Sequence, residues 1–274
     1  SGNINFGKEA IGTAVADGVD YQYIQVQSYV LGGGADQLVA SLGERQIGYD
    51  KLTTEEFTVL DYVLQGPSEG NIANSISLGN FIISIVEERR DCMGFISPMM
   101  SDVVGQNDTE RITQNLINFY NNLTSTSYCV FDSGYKYQYD RWNDVYRYIP
   151  LNADVAGCMV RSSILAEPWF SPAGLSRGQI LNVTNLPYNP SKKQRDLLYP
   201  ARINPIVTFP GEGTILFGDK TALAYTSAFD RINVRKLFLI VEKQIAKLSR
   251  VFLFEFNDEI TRALFKNNVN PFLR

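Results

Sequence analysis

The stretch with the most chemical promise is Gly213-Thr-Ile-Leu-Phe-Gly218-Asp-Lys-Thr221. A phosphate-cradling loop, GxxxxGK[ST], aims bare backbone N–H groups at phosphate oxygens and sets a lysine directly after its second glycine. Here Asp219 intervenes. It places a carboxylate where an anion would sit and displaces Lys220 by one position. The run Thr214-Ile-Leu-Phe217 also has the apolar character of a strand rather than a loop. A second glycine-rich stretch, Leu31-Gly-Gly-Gly-Ala-Asp36, lacks a following Lys-Ser/Thr and reads as a hinge. The acidic pairs Glu55-Glu56, Glu87-Glu88 and Asp258-Glu259 are sequence neighbours, so on a helix their side chains diverge by about 100° and do not converge on one proton or metal. Lys220 and Lys243 would act as nucleophiles only if desolvated. Tyr135, Tyr137 and Tyr139 offer either a stacking surface for bases or an amphipathic packing surface along a sheet or subunit interface. Lys192, Lys193 and Arg195 form a small basic patch suited to an acidic neighbouring surface.

Composition narrows the chemistry further. None of the 274 residues is histidine, which excludes Ser-His-Asp and Cys-His catalysis within the chain and removes the commonest zinc ligand. The three cysteines, Cys92, Cys129 and Cys158, form no CxxC pair, and their odd number suits a reducing compartment. A formal charge of -4 argues against broad nucleic-acid binding. No apolar run approaches the roughly 20 residues that span a bilayer, so membrane insertion is not expected. No catalytic, metal or cofactor residues are assigned.

The elements that would position these residues alternate between strand and helix. Tyr21 to Gln27 alternates strictly and predicts a strand, with a second short one at Gly12 to Val15. Thr53-Thr-Glu-Glu56 resembles a helix cap. Strands are expected at Leu60–Leu64, Cys92–Ile96, Tyr128–Phe131, Gln179–Val183 and Ile206–Phe209, with a strand or hairpin over Tyr135–Ile149. Helices are expected at Ile72–Arg90, Thr109–Leu123, Ala153–Leu165, Ser191–Tyr199 and Asp258–Asn267. The segment Asn233–Ser249 predicts a helix capped by Asn233. Its apolar face is Leu237, Phe238, Val241, Ile245 and Leu248, and a strand follows at Val251–Phe256. On that assignment Phe238→Ala would cost about 3–5 kcal/mol. The fold class is α/β (α+β overall): a mixed or mostly parallel sheet flanked by helices, then part of a second α+β domain.

Several segments, taken in order, resemble one family. They are Leu31–Asp36, Glu88-Arg-Arg-Asp-Cys-Met-Gly-Phe-Ile-Ser-Pro98, Trp169-Phe-Ser-Pro-Ala-Gly-Leu-Ser-Arg-Gly178, Ile203-Asn-Pro-Ile206, Phe217-Gly-Asp-Lys-Thr221, and Arg231-Ile-Asn-Val-Arg-Lys-Leu237 through Phe254-Glu-Phe-Asn257. Together they resemble the tail sheath proteins of contractile bacteriophages, in the large T4-like form. The resemblance implies a non-enzymatic subunit that stacks as six-membered rings around a tail tube. The array contracts to drive the tube through the host envelope. It implies other sheath subunits, the tube protein, and baseplate and terminator proteins as partners. The protein would be located in the virion after assembly in the host cytoplasm. It also implies a division into the tail of an inserted β-rich domain (1–27), an α/β middle domain (28–190) and the first part of a C-terminal domain (191–274). In the family that last domain continues into strands and an arm that augments a neighbour's sheet, so the chain is expected to fold without assembling alone. Arg231, Arg235 and Lys236 join Lys192, Lys193 and Arg195 as interface candidates. The alternatives are a nucleotide-binding α/β enzyme and a carbohydrate-binding surface module that uses the tyrosines.

Overall fold

A computed structural model describes residues 33–34, 39–54 and 58–273. The backbone falls into two units, Ser1–Ala40 and Ser41–Arg274, and nearly all described residues belong to the second. The strands expected at 12–15 and 21–27, most of the glycine hinge, and Glu55-Glu56 lie outside the described residues.

The second unit is built on a four-stranded parallel sheet in the order β1-β2-β3-β6. Its strands are β1 (Tyr62–Leu64), β2 (Met93–Ile96), β3 (Cys129–Asp132) and β6 (Ile203–Asn204). The pairs Val63–Gly94, Phe95–Val130 and Phe131–Ile203 fix the register. Successive side chains point to opposite faces, and both faces are covered. On one face Ile96, Cys129 and Phe131 pack with α2 (Ile72–Arg89) and α4 (Thr109–Asn121), through Ile82, Val86, Leu116 and Tyr120. On the other, Met93, Phe95 and Val130 meet α5 (Asn152–Leu165) and α7 (Ile232–Ser249), through Val155, Met159, Ile232 and Leu239. Gly94 lets α2 approach the first of these faces, because a Cβ there would stand 2.7 Å from the Cys129 sulfur and 3.3 Å from Ile82 Cγ2. β6 lies beyond residue 190 yet pairs with β3, so the sheet draws on both sides of that sequence-derived boundary.

Helix starts follow local chemistry. Asp108 caps α4 by accepting from the N–H groups of Glu110 and Arg111. Capping boxes open α1 (Leu42–Asp50), through Ser41 and Glu44, and α6 (Lys192–Leu198), through Ser191 and Gln194. A short helix α3 (Met100–Val103) precedes α4. Two antiparallel hairpins complete the body, β4 (Tyr135–Asp140) with β5 (Val145–Pro150), and β7 (Ile206–Phe209) with β8 (Gly213–Leu216).

Three expectations are corrected. Gln179–Val183 is not a strand; Gln179 makes a single bridge to Ile215. The helix start expected at Thr53–Glu56 runs into residues 55–57, outside the described residues. α7 begins at Ile232 with Arg231 at the cap position, and it buries Ile232, Arg235, Lys236 and Leu239 rather than the Phe238 stripe. Phe238 is 41% exposed. Val251–Phe256 is not a strand either. Arg250–Phe252 forms a 3-10 turn, Phe254 takes φ +73°, and the segment leads to α8 (Glu259–Val269). An alternating segment needs a neighbouring strand for its N–H and C=O groups. None pairs with it among the described residues, so the chain closes local i to i+3 bonds such as Leu253 N–H to Arg250 O.

Candidate interaction surface

The C-terminal end of a parallel sheet is where α/β folds most often hold ligands, and residues at the ends of β1, β2 and β3 converge there with the start of α5. The Ser97 hydroxyl lies 2.5 Å from Asp132 Oδ2, Gly134 N–H donates to Asp132 Oδ1, and Asn152 N–H donates to Ser97 Oγ. Gln65 Oε1 accepts from Ser97 N–H. Gln65, Ser97, Asp132 and Asn152 are all essentially inaccessible. The end of the sheet is therefore plugged by its own side chains and admits no substrate. Burial pushes the Asp132 carboxyl up to about 8, so it is held largely neutral. These residues carry no sequence motif; the positions of Gln65, Ser97 and Asp132 at the ends of consecutive parallel strands were the available signal.

The other reactive groups are quenched as well. All three cysteines are buried and free. Desolvation raises Cys92 to about 12 and Cys158 to about 11, and raises Cys129 as well, which keeps the thiols protonated and unreactive. The Gly213–Thr221 stretch forms β8 and a turn packed on β6. A Cβ at Gly218 would meet Asn204 Oδ1 at 2.9 Å, and Lys220 N–H donates to that same oxygen. Among the described residues no cluster of His, Cys, Asp and Glu could hold a metal ion, and no helix is long and apolar enough to cross a membrane.

The basic residues singled out by sequence separate into two groups. Arg235 and Lys236, expected as interface candidates, turn inward, each 7% exposed. Arg235 donates to Ser127 Oγ at 2.6 Å and lies 4.3 Å and 4.2 Å from the Tyr128 and Phe229 ring centroids. Lys236 donates to Met159 O at 2.8 Å and to Ser163 Oγ, tying α7 to α5, and burial lowers it to about 8. Lys192, Lys193, Arg195 and Arg231 stay on the surface around α6. Lys193 pairs with Glu110 at 2.8 Å. Arg231 donates to Asp219 Oδ1 at 2.8 Å and to Tyr199 Oη, while the Tyr199 hydroxyl also donates to Asp219. Arg195 lies over Phe209 and Phe217 at 5.6 Å and 5.4 Å, with a hydrogen bond to Pro190 O.

The tyrosines form a ladder across the β4–β5 hairpin. Tyr137 stands 5.3 Å from Tyr146 and 4.6 Å from Tyr148, and Tyr139 stands 5.2 Å from Tyr146. Their faces contact one another, and Tyr135 is buried, donating to Pro98 O.

Residues 63–222 match the family described as Phage tail sheath protein central domain. The chain belongs to the phage tail sheath family. It is 38% identical to the tail sheath protein of Vibrio phage KVP40 over 276 residues, covering 95% of this chain and 40% of that protein. It is 36% identical to the tail sheath protein of Enterobacteria phage T4 over 253 residues, covering 89% and 38%. The sheath chain thus spans about two fifths of the length of these curated relatives. Its fold is shared with the helical sheath of the anti-feeding prophage in its contracted state, at a TM-score of 0.60 and 16% identity over 77% of this chain and 53% of that one. These relatives are structural sheath proteins rather than enzymes, and the plugged sheet is consistent with that.

Proposed function

We propose that this chain is a rigid block of a contractile tail sheath, stacked in hexameric rings around the tail tube. The rings shift from an extended to a contracted packing and drive the tube through the host envelope. The observation that carries the reading is the central-domain match over residues 63–222. A second property supports it: the body is cross-tied by buried polar side chains. Arg202 reaches Ala222 O and Tyr120 O, Arg89 reaches Leu52 O and Thr58 O, and Asn204 reaches Phe131 O and Lys220 O. A block held this way is suited to repacking at its interfaces while its interior stays fixed. The tube, baseplate and terminator proteins are its partners in the virion, after assembly in the host cytoplasm. The interface candidates that remain on the surface are Lys192, Lys193, Arg195 and Arg231. The test is cryo-electron microscopy of the complete polypeptide produced with and without its tube protein. A helical polymer that depends on the tube is expected; a polypeptide that stays dispersed on tubes overturns the reading.

A further inference from the structure

A groove of about 440 Å³ runs beside α6, lined by Lys192, Arg195, Asp196, Tyr199, Pro205 and Phe217. Its charges differ from those around it. Lys193 and Arg231 are already closed on Glu110 and Asp219. Arg195 has only the Pro190 carbonyl as hydrogen-bond acceptor, and Lys192 is exposed with no polar partner among the described residues. Asp196 offsets one of these two cations, which leaves a net positive seat. Phe217, 49% exposed, and Phe209 form an edge-to-face pair beneath the Arg195 guanidinium, with centroids 5.5 Å apart. The Arg195 guanidinium lies 5.6 Å and 5.4 Å from the Phe209 and Phe217 ring centroids and donates through Nη1 to Pro190 O, which leaves further N–H groups able to take a carboxylate.

We infer that this groove is the docking seat for an Asp- or Glu-bearing segment of a second copy of the chain. The inference rests on the sheath reading and adds the contact chemistry to it. A helical polymer requires heterologous contacts, in which one patch of a subunit meets a different patch of the next. A chain of net charge -4 presents an acidic surplus to its neighbours. The groove supplies the positive half of such a pair and an apolar floor for a side chain flanking the carboxylate.

The test uses the complete polypeptide, polymerised on its tube from a mixture of unlabelled and 15N-labelled copies. A carbodiimide joins an amine to a touching carboxylate as an amide, with loss of water. Mass spectrometry should find Lys192 joined to an Asp or Glu peptide carrying the other isotope label. Lys192→Glu should raise the critical concentration for assembly about tenfold, with unchanged melting, while Lys192→Arg assembles normally. Arg195→Glu should act in the same direction, and the exposed Lys192 serves as the control against misfolding. Crosslinks from Lys192 only within one chain or only to the tube protein, or charge-reversed variants that assemble like the native protein, overturn the groove assignment and leave the sheath reading intact. Native polypeptide that forms no polymer on tubes overturns both.

Discussion

Asp132 and Lys236 are the two buried groups whose ionisation folding changes most usefully for experiment. Folding raises Asp132 from 3.8 to about 8 because its carboxyl is desolvated, with the Ser97 and Gly134 contacts opposing the shift only in part. The folded chain therefore holds this proton up to about pH 8, while the unfolded chain releases it near pH 4. Its contribution to stability is whole below the unfolded value and is lost as pH rises through about 8. Lys236 works in the opposite sense, because burial lowers it from 10.5 to about 8. Its contribution is present above the unfolded value and is lost as pH falls through about 8. Together they predict a shallow stability minimum near pH 8. Asp132→Asn preserves the neutral shape and has no proton to lose. In urea melts it should match the native chain near pH 4 and exceed it by roughly 1–3 kcal/mol at pH 8. Parallel pH curves for the two proteins would refute the assignment.

The helix α7 shows what sequence periodicity resolves and what it does not. Its existence and length follow from local spacing, as do those of α2, α4 and α5 and the alternation of strand with helix. Its buried side does not follow. A hydrophobic count turns Leu237, Phe238 and Val241 inward and the cations outward. In the fold Arg235 finds Ser127, and Lys236 finds Met159 O, more than 70 residues away in sequence. Their stems cover apolar neighbours while their heads reach acceptors that no local pattern announces. The same limit hid the Ser97–Asp132–Asn152 nest, whose members come from the residue after β2, the end of β3 and the start of α5. It also made Val251–Phe256 read as a strand, since alternation reports a preference for pairing and not the presence of a partner. The corrected face is directly testable. Leu239, 6% exposed, packs with Ile232 and Met159, so Leu239→Ala should cost about 2–4 kcal/mol. Phe238 keeps an edge contact with Phe229 at 4.9 Å but is otherwise open, so Phe238→Ala should cost only about 1 kcal/mol. Denaturant melts that rank the two the other way round would restore the periodicity-derived face.

For the whole molecule, a subunit that repacks as a block must keep its folding energy and its contact energy in different residues. The rigid-block proposal assigns the first to buried ties and the second to exposed charges. Arg202 is 8% exposed and joins the end of α4 to the chain after β8, whereas Lys193 and its partner Glu110 are about three-quarters exposed. Cutting the first removes two charge-assisted hydrogen bonds and leaves the carbonyls of Tyr120 and Ala222 with only the Leu123 and Thr126 N–H donors, so Arg202→Ala should lower folding stability by roughly 2–4 kcal/mol. Reversing the second removes an ion pair open to solvent and screened by it, which adds little to folding. Lys193→Glu should therefore melt like the native chain, yet weaken assembly on the tube. That weakening should itself diminish as added salt screens the contact, because the Debye length falls to about 3 Å at 1 M. Chemical melts paired with sedimentation of assembled tubes at low and high salt measure both quantities. If Lys193→Glu changes folding and assembly in proportion, fold and interface are not held by separate residues, and the rigid-block account of contraction fails with them.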